Sequence, residues 1–513
     1  MERVSGVIKN LDSRDLSVRI EENLRAAEQW LAKDKSDLAA VCLRRAFELS
    51  KHAAEISDKL AAVLTELGQY REARAVLQAG MQQATRSGDL DKIVNAYRRW
   101  QYYTTLTLGV EDYRFDFAAL TDMETAVSDI KEDLSNIVVH RDAEIASPRP
   151  KIVYIGTNLA QVGSVLAKVL LSMLKAHDAS VFEFGLVFTD DEKKLRATEE
   201  TVALINSAED RGWTLFLEAD TTVTGRVTKL SRRIREWQPD LLVTNCALAS
   251  AEGLLLSAAI PHVARCSLVV GPPPLFAAPN ADFVIASDER LLMECPTDGI
   301  VIPVETALPQ RGDIMPVSRS EMAIAEDAKV IVAAGRYTKF SEEYCATLAK
   351  ILIGHESAIL LVLGVPELEK ANFLARFPDE LVENIRVVPW GRKYIEYLAV
   401  GDLLVDTFPS GGGVTVQDAM ALEIPSICVG DDLTRPYRSD HWSVAYKFAL
   451  PELVVELGQE SRIIDLAIRC LSDRAFYIGL KERCREHVLK LRGRPDRMTK
   501  LHEDVYRHLL TQD

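Results

Sequence analysis

Residues 402–430 read "DLLVDTFPSGGGVTVQDAMALEIPSICVG", and their reading decides the fold. A short apolar run is followed by three glycines, then by helical spacing from about Val414, then by a second apolar run, "PSICVG". Runs of this length bounded by Gly and Pro are strands, and the segment between them is a helix. Working outward, the same alternation continues on both sides. Upstream lie "KVIVAAG" (329–335), "AILLVLG" (358–364) and "IRVVPWG" (385–391). Before a Pro-rich connection, "PVETALPQRGDIMPVS", comes another series: "KIVYIG", "VFEFGLVF", "PDLLVTN", "IPHVARCSLVV", "ADFVIAS" and "GIVIPV". Strands that alternate with helices build parallel sheets covered on both faces. The expectation is α/β, with two tandem Rossmann-like domains at residues 150–316 and 320–485 and a helical tail at 486–513.

The first part of the chain has another texture. Residues 1–145 are rich in Ala, Leu, Glu and Arg and predict packed helices. Ala39, Leu43 and Ala46 recur 34 residues later as Ala73, Leu77 and Gly80. That period, with "LGQYREA" at 67–73, predicts an all-α tetratricopeptide-like region, in which small residues let antiparallel helices approach. Pro148 and Pro150 mark the linker to the first sheet.

The 513 residues carry a formal net charge of −15 and 48% hydrophobic residues. This acidic balance excludes general nucleic-acid binding. No run is long and apolar enough to insert in a membrane. The eight cysteines form no C-x-x-C pair, which favours free thiols in the cytoplasm over disulfides or zinc. The acidic pairs in "TDDEKK" and "GDDL" are read as solvated charge, so no metal is expected.

Ligands of open parallel sheets bind at the C-terminal ends of strands. Four segments of the second domain fall there: "GRYTKF" with Arg336 and Lys339, "PWGRK" with Trp390, the glycine loop, and "GDDLTRPYR" with Arg435 and Arg438. Gly411, Gly412 and Gly413 lack Cβ, so their N–H groups can approach a ligand closely. The helix from Val414 offers free N–H groups and a positive dipole end to phosphate. Thr415 adds a hydroxyl, and Asp418, one turn deeper, can accept from both hydroxyls of a ribose. Lys339 and Arg336 would neutralise the diphosphate. Trp390 either stacks near the base or plugs the core. His441 reads as structural or surface.

The order of these segments resembles the glycosyltransferase B fold. Helical repeats, then "IPHVARCSLVVGPPPLFAAPNADFVIASDE", "GRYTKF" and "DLLVDTFPSGGGVTVQDAM", resemble the O-linked N-acetylglucosamine transferase family and its bacterial relatives. The resemblance implies that Lys339 stabilises a leaving diphosphate, Thr415 contacts phosphate and Asp418 binds ribose. It implies transfer of a hexose or N-acetylhexosamine from a nucleotide diphosphate sugar, UDP-GlcNAc or UDP-glucose, to a protein side chain. The donor is a substrate, so no cofactor and no metal are called for. The acceptor protein would dock partly through the helical region. The family's loop histidines are missing: Gly413 and Val414 stand in the phosphate loop, and "IGTNLAQVGS" holds no His. A B-fold transferase acting on lipid or polysaccharide, an epimerase, and a non-catalytic interaction subunit remain open alternatives. So do the acceptor, the catalytic base, the stereochemical outcome and any homo-oligomer.

Overall fold

The computed structural model describes residues 13–107, 125–136, 149–157, 159–160, 164–246, 251–270, 281–293, 295, 297–391, 393–431 and 443–511. Two parallel sheets form its centre. The first comprises β1 (Lys151–Gly156), β2 (Glu183–Phe188), β3 (Thr214–Phe216), β4 (Leu241–Cys246), β5 (Ala264–Val269), β6 (Phe283–Ala286) and β7 (Gly299–Val301), in the order β3-β2-β1-β4-β5-β6-β7. The second comprises β8 (Lys329–Ala334), β9 (Ala358–Leu363), β10 (Ile385–Val388), β11 (Leu403–Val405), β12 (Ser426–Val429) and β13 (Val454–Val455), in the order β10-β9-β8-β11-β12-β13.

Both faces of each sheet are covered, so the central strands are apolar without alternation. Ile152, Val153, Tyr154 and Ile155 of β1 are all buried, as are Val330 to Ala334 of β8. Every apolar run quoted above is a strand. The strands the sequence did not show, β3 and β13, have three and two residues. At that length an edge strand is held by its neighbour and carries no pattern of its own.

The region before the sheets is all-helical among the described residues. Helices Ser13–Leu31 and Ser36–Leu49 form one hairpin, Ala54–Glu66 and Tyr70–Arg86 the next, and Leu90–Thr107 follows. The small positions set the approach of the helices. A Cβ on Gly80 would stand 2.2 Å from Ser57 Oγ in the facing helix. This region is continuous with the first sheet domain. Tyr97 and Trp100 share one apolar core with Val223, Val227, Ala251, Leu254 and Leu255. The Asp91 carboxylate accepts from Val223 N at 2.9 Å, capping helix Val223–Trp237.

The chain also returns to its start. Helix Arg474–Leu491 packs on the second domain, and Pro495–Thr511 crosses to the first. There Tyr506 Oη meets Tyr154 Oη at 2.7 Å, and Glu503 accepts from the His177 ring at 2.9 Å. Burial holds both His177 and His502 below the usual imidazole range. These histidines are neutral packing groups that satisfy one another's partners.

Candidate functional site

The order of the second sheet reverses direction beside β8: β9 lies on one side and β11 on the other. This switch point opens a crevice at the carboxyl ends of β8 and β11. The chain leaves β8 as Gly335 and Arg336, and turns through Tyr337–Lys339. It then enters helix Glu342–Gly354, whose N-cap Ser341 accepts from Tyr344 N. The chain leaves β11 as Asp406, passes the glycine loop and enters helix Gly413–Ala421.

The β8 side holds the glycine loop in place. Lys339 Nζ donates to Gly411 O at 2.6 Å, Ser341 Oγ to Phe408 O at 3.1 Å, and Tyr344 Oη to Val405 O at 2.7 Å. Asp406 folds the loop from below, accepting from Gly412 N at 3.0 and 3.1 Å. The approach leaves no room for a side chain: a Cβ on Gly411 would lie 2.3 Å from Ser443 Oγ and 2.9 Å from Asp406 Oδ2. Gly412 is the N-cap of helix Gly413–Ala421 and gives it no side-chain cap. First-turn N–H groups lack intrahelical partners, so this end is a place for an anion.

Three charges are buried or half-buried here, each away from its ordinary state. Burial, opposed by Asp406 and helped by Arg336, pushes the Lys339 ammonium down to about 8. Burial pushes the Asp406 carboxyl up to about 6 against Lys339 and the N–H groups of Gly412 and Thr407. Burial likewise pushes Asp418 up to about 6, opposed by Lys168. Asp418 is only 4% exposed, and its Oδ2 has no hydrogen-bond partner. A buried carboxylate oxygen with nothing to accept from costs about 1–3 kcal/mol or more. In native proteins such a group is met by an ordered water, an ion or a ligand.

The predicted residues fall as follows. Lys339, Gly411, Gly412, Gly413, Val414, Thr415 and Asp418 come together at the switch point, with Thr415 half-buried in the first helical turn and Asp418 one turn deeper. Arg336 is exposed on the same turn as Lys339. Trp390 packs on Tyr394, ring centroids 4.8 Å apart, beside Gly364. Gly364 has φ +116°, and a Cβ there would sit 1.9 Å from Gly335 O, so only glycine lets these loops meet. Arg435, Arg438 and His441 lie outside the described residues.

Four residues escaped the sequence reading. Asp406 stands at the exit of β11, where an acid after a buried strand was a usable signal. Tyr394 opens helix Tyr394–Leu398, its buried hydroxyl beside Thr415. Burial raises that phenol well above its usual range. Lys168 and Arg290 come from the first domain. Arg290 bonds Asp431 at 2.6 Å and Ser443 O at 3.0 Å, with both charged side chains 1% exposed. Lys447 reaches Asp288 and Glu289 alongside. This buried ion cluster ties the two domains together next to the glycine loop. It depends on contacts more than 140 residues apart in sequence, which no local pattern reveals.

No family profile matches the chain. An O-GlcNAc transferase mutant from Thermobaculum terrenum superposes over 98% of both chains with a TM-score of 0.54 and 16% identity. A glycosyltransferase from Rickettsia africae ESF-5 covers 71% of this chain and 100% of its own, at TM-score 0.49 and 11% identity. Among curated proteins, N-acetyl-alpha-D-glucosaminyl L-malate synthase of Bacillus anthracis is 26% identical over 201 residues, 38% of this chain. The match spans about half of that relative's length (49%). With its two parallel sheets facing one crevice, the chain has the glycosyltransferase B fold. Within that class its full length, helical region included, is similar in fold to an O-GlcNAc transferase.

Proposed function

We propose that the protein is a glycosyltransferase that moves a hexose or N-acetylhexosamine from a UDP-sugar to a protein side chain. One observation carries this reading. Lys339, the uncapped N-terminus of helix Gly413–Ala421 and the buried Asp418, whose Oδ2 has no hydrogen-bond partner, follow one another beside the ends of β8 and β11, which supports a diphosphate at the first two and a ribose at the third. The curated relative, named for an N-acetylglucosaminyl transfer, supports the N-acetylhexosamine alternative for the donor. Similarity to an O-GlcNAc transferase through the helical region supports a protein acceptor, docked on tetratricopeptide-like hairpins. Free thiols at Cys42, Cys266, Cys295, Cys345, Cys428, Cys470 and Cys484 suit a cytoplasmic setting.

In the reaction the acceptor oxygen or nitrogen bonds to the anomeric carbon as the carbon–oxygen bond to the diphosphate breaks, and the acceptor's proton passes to solvent. The electron pair stays on the leaving phosphate. Lys339, Arg336 and the helix N-terminus meet that charge, so leaving-group stabilisation calls for no metal. Asp418 accepts from the ribose hydroxyls and fixes the donor in line. The Lys339 ammonium exchanges Gly411 O for a phosphate oxygen, a stronger, charge-assisted bond. A panel of nucleotide diphosphates and their sugars, read by thermal stabilisation and slow donor hydrolysis, tests the reading. At 100 times its dissociation constant a ligand adds about 2.7 kcal/mol. EDTA should leave the effect intact. No melting shift with any of them at millimolar levels would sink the proposal.

A further inference from the structure

Helix Val165–Ala176 follows β1 in the first domain and turns one side toward the second. Its residues Leu166, Ala167, Val169 and Leu170 are buried in the first domain's core. Lys168, half-buried between them, instead crosses the crevice, and its Nζ stands 5.5 Å from the centroid of the Tyr394 ring. Among the described residues Lys168 makes no ion pair. Beyond that ring lies Asp418 of the second domain, whose buried Oδ2 has no hydrogen-bond partner. Lys168 is the opposing charge that acts on Asp418.

We propose that Lys168 is the first domain's contribution to the donor site, a positioning residue that holds the Asp418 carboxylate ready to accept from the donor's ribose. The inference rests on the donor reading above and adds a condition to it. A buried acid with one oxygen unpartnered is driven toward its neutral form, which can accept from one hydroxyl less well. The Lys168 charge opposes that drive in part, so the carboxyl rises less than burial alone would take it. Since the cation belongs to the other domain, the ribose site is complete only when the two domains meet, as the Arg290–Asp431 pair makes them do.

The other charged and titratable groups around helix Gly413–Ala421 do not take this role. Arg485 donates to Ala421 O at the far end of the helix. Lys447 is tied to Asp288 and Glu289. Lys339 and Asp406 act on each other across the glycine loop. Cys428 and Tyr446 are held above their usual ranges by burial and stay neutral.

The test is calorimetric titration of the full chain with UDP from pH 5.5 to pH 8. Wild type, Lys168→Met, Lys168→Arg, Asp418→Asn and the double variant Lys168→Met/Asp418→Asn are compared, with Lys168→Gln used where Met does not fold. Wild-type affinity should fall as pH drops through about 6. A nearby opposite charge moves a carboxyl by about 1–3 units. Lys168→Met should therefore move this acid limb upward by at least one unit, weakening UDP roughly tenfold below the new limb. Lys168→Arg should restore it, and in the Asp418→Asn background Lys168→Met should change nothing. If Lys168→Met keeps wild-type affinity and limb while Asp418→Asn loses both, the inference is overturned and the donor reading stands. An equal loss at every pH, persisting in the Asn background, would also overturn it, because Lys168 would then act on the nucleotide directly. If wild type binds no UDP, both fall.

Discussion

Replacing Asp418 by Asn should make the protein more stable and less able to bind its donor. The carboxyl rises from 3.8 in the unfolded chain to about 6 in the folded one. The folded state thus holds the proton more tightly, and ionising Asp418 penalises folding. The penalty is absent below pH 4, grows between pH 4 and 6, and is fully present above. Roughly two units at 1.36 kcal/mol each give about 3 kcal/mol at pH 7. Asn fills the same volume without charge, but its amide inherits an unpartnered position, which takes back about half of the gain. A net stabilisation of about 1.5 kcal/mol follows. The assay is thermal melting of both proteins from pH 5 to pH 8. The variant should melt higher at pH 7 and above, and the gap should shrink as pH falls toward 5. In the same samples UDP should raise the wild-type midpoint and move the variant's far less. A variant less stable than wild type at pH 7, or a gap independent of pH, would refute the argument that Asp418 is a strained, ligand-awaiting carboxylate.

Lys339→Ala should cut donor hydrolysis and transfer by about 10²–10³-fold, as loss of a charge-stabilising donor does; near wild-type turnover would remove Lys339 from the mechanism. The kcat/KM profile should fall above about pH 8, where the half-buried Lys339 ammonium loses its proton, and Lys339→Arg should carry that limb beyond pH 9. Deleting residues 1–148 should expose the face of Val223, Val227, Ala251, Leu254 and Leu255 and yield an aggregating fragment. A soluble, cooperatively melting fragment would show that the helical region is an appendage and would allow its role in acceptor docking to be assayed directly.

What the sequence disclosed, and what it concealed, divides along one physical line. Features set by neighbours in the chain were readable. The β11–glycine loop–helix–β12 segment announced itself because a fully buried parallel strand must be apolar and a loop pressed on Asp406 and Ser443 must be glycine. Lys339 and Asp418 were readable because each follows a strand end at a spacing fixed by one turn or one helix. Features set by the meeting of the two domains were not. Nothing local distinguishes Lys168 from the other lysines of an amphipathic helix, or Arg290 from a surface arginine in "SDERLL". Yet these are the residues that close the crevice, one by facing Asp418 and one by pairing with Asp431. The buried position of Asp418 likewise depends on a wall from another part of the chain. Its sequence context, one turn inside a helix, suggested a ligand-facing rim. In the folded protein it is 4% exposed. The domains must therefore separate, or the side chains between them must move, before a nucleotide reaches that carboxylate. If the glycine loop is the donor site proposed above, the residues that hold the domains together govern how readily the donor enters, and Arg290 and Lys168 belong to that site as much as the loop does.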